Sequence, residues 1–111
     1  MSKPELIGFS KDDKFSQDIF KQFFHMATNS GYKMSSSKFT PSISGIPQNS
    51  INQEHSILIV FGGDGTMLRA LKHHPSTPTI GINCGSFGFL SEFESSDLET
   101  ALSFLISEDW I

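Results

Sequence analysis

The sequence lacks the features that mark secreted, membrane and nucleic-acid-binding proteins. Its single cysteine, Cys84, excludes an internal disulfide and fits a reducing compartment. No apolar run approaches the ~20 residues of a membrane span, and the N-terminus lacks a signal-peptide apolar region. The eight Lys and Arg residues are scattered and the net charge is −4, whereas nucleic-acid binding needs clustered cations. We therefore expect a cytoplasmic protein with no membrane and no nucleic-acid partner.

The length of 111 residues predicts one domain over residues 1–111 that buries about two thirds of its unfolded surface. No internal repeat is present. The chain finishes with Trp110 and Ile111 and has no polar tail, so we expect the polypeptide to continue and this domain to be incomplete.

An apolar run that ends at a glycine-rich turn is the most informative segment. Residues 57–61 are apolar at every position and β-branched at three of five, which predicts a strand buried on both faces of a parallel sheet. Gly62, Gly63 and Gly65 follow, and glycine tolerates positive φ and close approach by another molecule. Asp64 lies among them at the carboxyl end of the strand, where open α/β sheets bind ligands.

The residues after this turn predict a helix. Met67 to Lys72 are good helix formers, and Pro75 ends the run. Free N–H groups and the dipole at the start of a helix favour an anion, so phosphate is the natural ligand. An Asp-Gly hairpin turn is the alternative, but no strand pattern resumes after Thr66. A glycine-rich turn without a ligand also remains open.

A second strand and a second glycine loop follow. Thr79 to Asn83 predicts a short strand, and the loop runs from Cys84 to Leu90. Two strand ends would thus present backbone and apolar side chains to one crevice. Cys84 could act as a nucleophile in this loop, although a small packing residue is the favoured interpretation.

The remaining segments complete an α/β pattern. Glu5 to Phe9 predicts a first strand and Tyr32 to Met34 a second one. Between them a helix ending at residues 29–31 carries a core-forming apolar stripe. The members of this stripe are Phe15, Ile19, Phe20, Phe23, Phe24 and Ala27.

The segment 35–55 is rich in Ser, Pro and Asn and predicts a long surface loop, either a lid over the site or a mobile connection. Its apolar anchors are Phe39, Ile43, Ile46 and Ile51.

A last helix is predicted from a capping box that spans residues 96–99. Its apolar residues have helical spacing and are expected to pack on the sheet. They are Leu98, Ala101, Leu102, Leu105 and Ile106.

The four histidines do not predict a metal site. His73 and His74 are adjacent and would point to different sides of a helix end, where they would complement the helix C-terminus. His25 and His55 have no ligand partner at a suitable spacing. We therefore assign no zinc.

The two glycine segments together resemble the signatures of the NAD kinase family. These are a Gly-Gly-Asp-Gly-Thr turn, here Gly62 to Thr66, and a Gly-Ile-Asn-x-Gly-x-x-Gly-Phe-Leu loop, here Gly81 to Leu90. Diacylglycerol and sphingosine kinases and phosphofructokinases share the turn but not the second loop. The resemblance implies a Rossmann-like parallel sheet with flanking helices. In that family a second, β-rich domain grips the nicotinamide ribose, and this chain does not contain it.

The resemblance also implies an activity. It is the Mg²⁺-dependent transfer of the terminal phosphate of ATP, or of polyphosphate, to the adenosine ribose 2′-hydroxyl of NAD, which gives NADP. Asp64 matches the proton acceptor and Gly65 a dinucleotide contact, while Leu68 and Phe89 match the adenine pocket. Arg69 matches a binding position in part of the family, but it could equally be a solvated cation.

The candidate site therefore has Asp64 as its catalytic residue and a larger set of candidate nucleotide-binding residues. That set is Gly62, Gly63, Asp64, Gly65, Thr66, Leu68, Arg69, Asn83, Gly85 and Phe89. The expected partners are NAD, ATP or polyphosphate, the remainder of the same enzyme, and further copies in a homo-oligomer. A non-catalytic nucleotide-binding or regulatory module and a lipid kinase of the diacylglycerol type are the alternatives.

Overall fold

The computed structural model describes residues 3–49, 55–85 and 93–107. Strands and helices alternate along most of this sequence, as the apolar pattern predicts. The strands are β1 Glu5–Ser10, β2 Met34–Ser37, β3 Gln48–Asn49, β4 Ser56–Gly62, β5 Thr79–Asn83 and β6 Phe93–Glu94. The helices are α1 Lys14–Asn29, α2 Asp64–His73 and α3 Leu98–Ser107.

The strands form a six-stranded sheet in the order β3-β2-β1-β4-β5-β6, and every neighbouring pair is parallel. The chain moves outward from β1 through β2 to β3, then returns past β1 to β4 and continues in the opposite direction. The order therefore reverses between β1 and β4. This topology confirms the predicted Rossmann-like α/β fold with a parallel sheet.

Helices cover both faces of the sheet. One face packs against α1 and α3 through a core that includes Phe20, Phe23 and Phe61, and the Phe20 and Phe61 rings stack with centroids 4.7 Å apart. The other face packs against α2 through Met67 and Ala70. All seven residues of β4 are buried, as expected for a strand covered on both faces. In the part of the chain that the structure describes, no helix combines the length and apolarity that a bilayer crossing needs.

The apolar stripe of α1 is shifted from its predicted position. Phe15 is 53% exposed, whereas Ser16 is fully buried, so the prediction that Phe15 belongs to the core was wrong. One residue corresponds to about 100° of rotation around a helix, and the buried arc is centred near Ser16 and Phe23. Gly8 on β1 admits the neighbouring Phe20, because a Cβ at Gly8 would lie 2.1 Å from the Phe20 ring.

The predicted loop at 35–55 contains regular structure. Residues 35–37 belong to β2, and Gln48–Asn49 form β3, the short strand at the edge of the sheet. Ile43 and Ile46 are buried as predicted, whereas Phe39 is 43% exposed. Ile51 lies outside the described residues. The long-loop interpretation was therefore wrong at residues 35–37 and 48–49, because these polar strand residues carry no apolar alternation.

The end of the described chain also differs in detail. Helix α3 begins at Leu98, and the Asp97 carbonyl accepts the Ala101 N–H at 3.2 Å, so the cap lies one residue after the predicted Ser96. Ile106 is 54% exposed and does not join the core. Strand β6, with two residues, was not predicted.

Candidate functional site

The carboxyl ends of β1 and β4 meet at the point where the strand order reverses. Ser10 is the register partner of Phe61, and the Lys11 N–H donates to the Phe61 carbonyl at 2.9 Å. The connection after β1 leads to β2 on one side, and the connection after β4 leads to β5 on the other side. This divergence opens a crevice at the carboxyl edge of the sheet. The glycine-rich turn follows β4 at this edge, where the sequence placed it.

The turn leads directly from β4 into α2. Gly62 is the last residue of β4, Gly63 is the N-cap, and Asp64 is the first residue of α2. The Asp-Gly hairpin is excluded, because β4 and β5 are parallel and α2 lies between them in the chain. Gly63 has no side chain and makes no side-chain cap bond. The start of α2 therefore combines backbone donors with a favourable dipole, which suits an anion.

Gly62 is required for space, and the turn glycines do not have positive φ. Gly63 has φ −112° and ψ −161°, and the glycines with positive φ among the described residues are Gly31 and Gly45. Of the two properties that glycine offers, positive φ and close approach, the turn therefore does not use positive φ. A Cβ at Gly62 would lie 2.6 Å from Oγ1 of the buried Thr66. At Gly65 no atom lies within 4 Å of the Cβ position, so its backbone is open.

Helix α2 places two further candidate residues beside the turn. Leu68 is 60% exposed, and Arg69 is exposed as well. Both are accessible to a ligand that lies along the first two turns of α2. Thr66, in contrast, is 5% exposed and fills the space that the missing side chain of Gly62 leaves.

The second glycine loop begins next to the first. Asn83 is the register partner of Gly62, and the Cys84 N–H donates to the Gly62 carbonyl at 3.0 Å. Asn83 is 5% exposed, and its Oδ1 accepts the Gly85 N–H at 3.0 Å. The expected convergence of the two strand ends is thus present. The rest of this loop, including Phe89, lies outside the described residues.

The environment of Cys84 opposes a nucleophilic role. Burial raises the pKa of the Cys84 thiol to about 11; the Ser16 hydroxyl opposes that shift and the Asp13 carboxylate adds to it. A cysteine nucleophile acts as the thiolate. The group is therefore protonated at neutral pH, which supports its interpretation as a small packing residue.

Two histidines at the end of α2 join an aromatic cluster that the sequence did not predict. His73 stacks on Phe39 with ring centroids 4.2 Å apart, and Phe9 lies edge-on to His74 at 6.3 Å. His74 is 2% exposed, and its Nε2 lies 2.9 Å from the Ser37 hydroxyl. No group of three or more His, Cys, Asp or Glu within 3–49, 55–85 and 93–107 is placed to hold a metal.

Thr40 is another residue near the site that the sequence does not indicate. It falls within the predicted surface loop, yet it is buried beside the end of β1. Its Oγ1 accepts the Ser10 N–H at 3.2 Å and donates to the Ser10 carbonyl at 3.0 Å. This contact supports β1 where it reaches the crevice. Sequence spacing gives no signal for it, because the two residues are 30 positions apart.

We expect the burial of His74 to make the stability of the chain depend on pH. Burial, with the nearby His73, lowers the pKa of His74 below its ordinary 6.5, so the unfolded chain binds this proton more readily than the folded chain. The stabilising contribution of neutral His74 should be complete above about pH 6.5. Below that pH the free energy of unfolding should decrease, by at most about 1.4 kcal/mol per pH unit from this group.

Urea unfolding between about pH 5 and pH 8 tests this expectation. His74→Gln should flatten the dependence, because glutamine can still bond to Ser37 but does not titrate. The matched control is His25→Gln on the exposed side of α1, which should keep the wild-type slope. An unchanged slope in His74→Gln would assign the pH dependence to other groups.

Comparisons with known proteins agree with the geometry. A family model described as the ATP-NAD kinase N-terminal domain matches residues 11–110. NAD kinase of Bifidobacterium longum subsp. infantis is 38% identical over 68 residues, which cover 60% of this chain and 20% of that protein. NAD kinase of Corynebacterium glutamicum is 48% identical over 56 residues, which cover 49% of this chain and 19% of that protein.

A solved structure shows the same fold. The crystal structure of yeast NADH kinase complexed with NADH superposes with a TM-score of 0.72 and 16% identity, over 96% of this chain and 39% of that chain. In the two bacterial relatives the matched segments span only about a fifth of the length of the protein.

Proposed function

Since the chain belongs to the ATP-NAD kinase N-terminal domain family, we propose that it supplies the catalytic turn of an NAD kinase. The reaction transfers the terminal phosphate of ATP or polyphosphate to the adenosine ribose 2′-hydroxyl of NAD and yields NADP. The observation that carries this proposal is the position of Asp64, which starts α2 at the carboxyl end of β4, beside the reversal of strand order.

In the proposed reaction the chain acts chiefly by positioning. Phosphoryl transfer needs two substrates in line, neutralised charge and a group that receives the proton of the nucleophile. The bond from the ribose oxygen to phosphorus forms as the bridging phosphorus–oxygen bond of the donor breaks, and the hydroxyl proton passes to Asp64. An aspartate is a weak base towards a sugar hydroxyl, so this proton moves late.

The remaining candidate residues serve binding in this proposal. The open backbone at Gly65 and the N–H groups at the start of α2 approach the dinucleotide, and Leu68 and Phe89 contact adenine. Arg69, exposed on the same helix, offers a cation to phosphate. Each role transfers from the family motif to the matching residue.

Mg²⁺ fits this chain as a companion of the donor phosphates. Protein sites usually hold Mg²⁺ through one or two carboxylates together with substrate phosphates and water. Asp64 is a carboxylate at the turn, and the described residues hold no larger group of ligands. The ion would neutralise the phosphate charge. We therefore include Mg²⁺ with the donor substrate.

Activity assays on two forms of the protein test the proposal and its alternatives. The 111-residue chain is assayed for NADP with NAD, ATP and Mg²⁺, first alone and then within a longer polypeptide that also carries the rest of an NAD kinase. We expect turnover only in the longer polypeptide, because half a site cannot hold both reactants in line.

The other outcomes separate the alternatives. Nucleotide binding without NADP in either form would favour a regulatory module. Phosphorylation of diacylglycerol in place of NAD would favour a lipid kinase. Turnover by the isolated chain would overturn the view that the rest of the enzyme completes the site.

A further inference from the structure

The base of the second glycine loop is closed by a pair of polar side chains. Asn83 ends β5 and Glu94 ends β6, and the two residues are register partners. Asn83 Nδ2 donates to the Glu94 carboxylate, at 3.4 Å from Oε1 and 3.3 Å from Oε2. The backbone adds a tie, since the Ser95 N–H donates to the Asn83 carbonyl at 3.1 Å. Asn83, which precedes the second glycine loop, is therefore held against Glu94 and Ser95, which follow it.

The chemistry of these contacts leaves one orientation for the Asn83 amide. The Gly85 N–H, 3.0 Å away, requires an acceptor, so Oδ1 faces it. The ionised Glu94 carboxylate accepts and cannot donate, so Nδ2 faces Glu94. Glu94 thus fixes which side of the amide meets the loop.

The same asparagine also connects the loop to the catalytic turn. Asn83 is the register partner of Gly62, and the next residue, Cys84, donates its N–H to the Gly62 carbonyl. Glu94 itself is exposed, so the core does not require it as an apolar residue would be required. The contacts run from Glu94 through Asn83 to the start of the loop and to the turn that carries Asp64.

We infer that Glu94 is a positioning residue for Gly85, at the start of the second glycine loop. Its carboxylate orients Asn83, and Asn83 holds Gly85 close to the end of β4, where the exposed Gly85 backbone can contact the bound nucleotide. Asn83 then acts on the ligand through Gly85 and does not use its own amide to bind it. This inference rests on the proposed kinase function.

Two single variants and their combination test the inference in the longer polypeptide: an acid replaces the amide at Asn83, and an amide replaces the acid at Glu94. Asn83→Asp keeps an oxygen for the Gly85 N–H but turns a second carboxylate towards Glu94. We expect the KM for NAD to rise about tenfold, with a smaller change in kcat, because the position of Gly85 affects nucleotide binding in this proposal. Glu94→Gln should change little, since one oxygen still accepts. The double variant should recover, because Gln can donate to Asp.

The controls separate positioning from folding. Thermal unfolding is measured for each variant, and Glu99→Gln removes another exposed acid from the neighbouring helix α3. Hydrogen exchange of the Gly85 amide in the 111-residue chain should speed up in Asn83→Asp and slow again in the double variant. Failure of Glu94→Gln to rescue Asn83→Asp, or a KM change that follows the melting temperature alone, would overturn the inference. Absence of NADP formation by the wild type would instead overturn the proposed function.

Discussion

Asp64→Asn should lower NADP formation by the longer polypeptide by ~10²-fold or more, the usual worth of general-base help. Asparagine has nearly the same size and still forms hydrogen bonds, but it cannot accept the hydroxyl proton. Since Asp64 begins α2, the change also removes a favourable charge at a helix N-terminus, which costs about 0.3–1 kcal/mol of stability. The loss of activity should therefore far exceed the loss of folded protein.

Glu99→Gln is the matched control for this variant. Glu99 is the acidic residue in the first turn of α3, so its neutralisation removes a similar helix-end charge without touching the crevice. Steady-state kinetics and thermal unfolding of both variants separate the two effects. Near wild-type turnover in Asp64→Asn would remove Asp64 from the mechanism.

The elements that position the site were predictable from sequence because they carry strong local signals. Residues 57–61 are continuously apolar and residues 62–65 are rich in glycine, which together predict a buried strand and a turn. The observed strand β4 Ser56–Gly62 extends this prediction by one residue at each end, and β5 matches its predicted bounds. The parallel topology then brings the two strand ends together.

The serine-rich edge of the sheet was not predictable in the same way. Ser36 and Ser37 are buried in β2, although their side chains are polar. The Ser36 N–H donates to the Pro47 carbonyl at 2.7 Å, and Gln48 Nε2 donates to the Ser37 carbonyl at 3.3 Å. These contacts between backbone and polar groups stabilise the edge without any apolar alternation, so periodicity cannot detect them.

In the candidate site, local sequence indicates the positions of some residues, whereas their contact partners become known only from the fold. The sequence indicates the position of Asp64. It does not indicate that Gly63 is extended, nor that Gly62 is a glycine because a Cβ there would crowd Thr66. The partners of Asn83 and His74 come from β6 and β2. Such pairings depend on strand order, which single-sequence patterns do not specify.

Gly65→Val should separate nucleotide binding from stability. No atom from another part of the described chain lies within 4 Å of the Cβ position at Gly65, so the Cβ of valine is accommodated in the folded chain. Valine also has a slightly higher helix propensity than glycine, by a few tenths of a kcal/mol. Thermal stability should therefore be kept or slightly raised. If NAD approaches this backbone, as we propose, the side chain occupies the space of the ligand, and affinity should fall by at least about tenfold, equivalent to about 1.4 kcal/mol.

Two comparison variants make this result interpretable. Lys72→Val places the same side chain on an exposed position near the end of α2 and should leave NAD affinity unchanged. Gly62→Val should lower stability and affinity together, because its Cβ would lie 2.6 Å from Thr66 Oγ1 and 2.7 Å from Thr66 Cβ. Calorimetric titration with NAD and thermal unfolding are measured on all three variants in the longer polypeptide. Wild-type affinity in Gly65→Val would show that the ligand does not approach the start of α2, and the phosphate-binding role of the turn would then have to be abandoned.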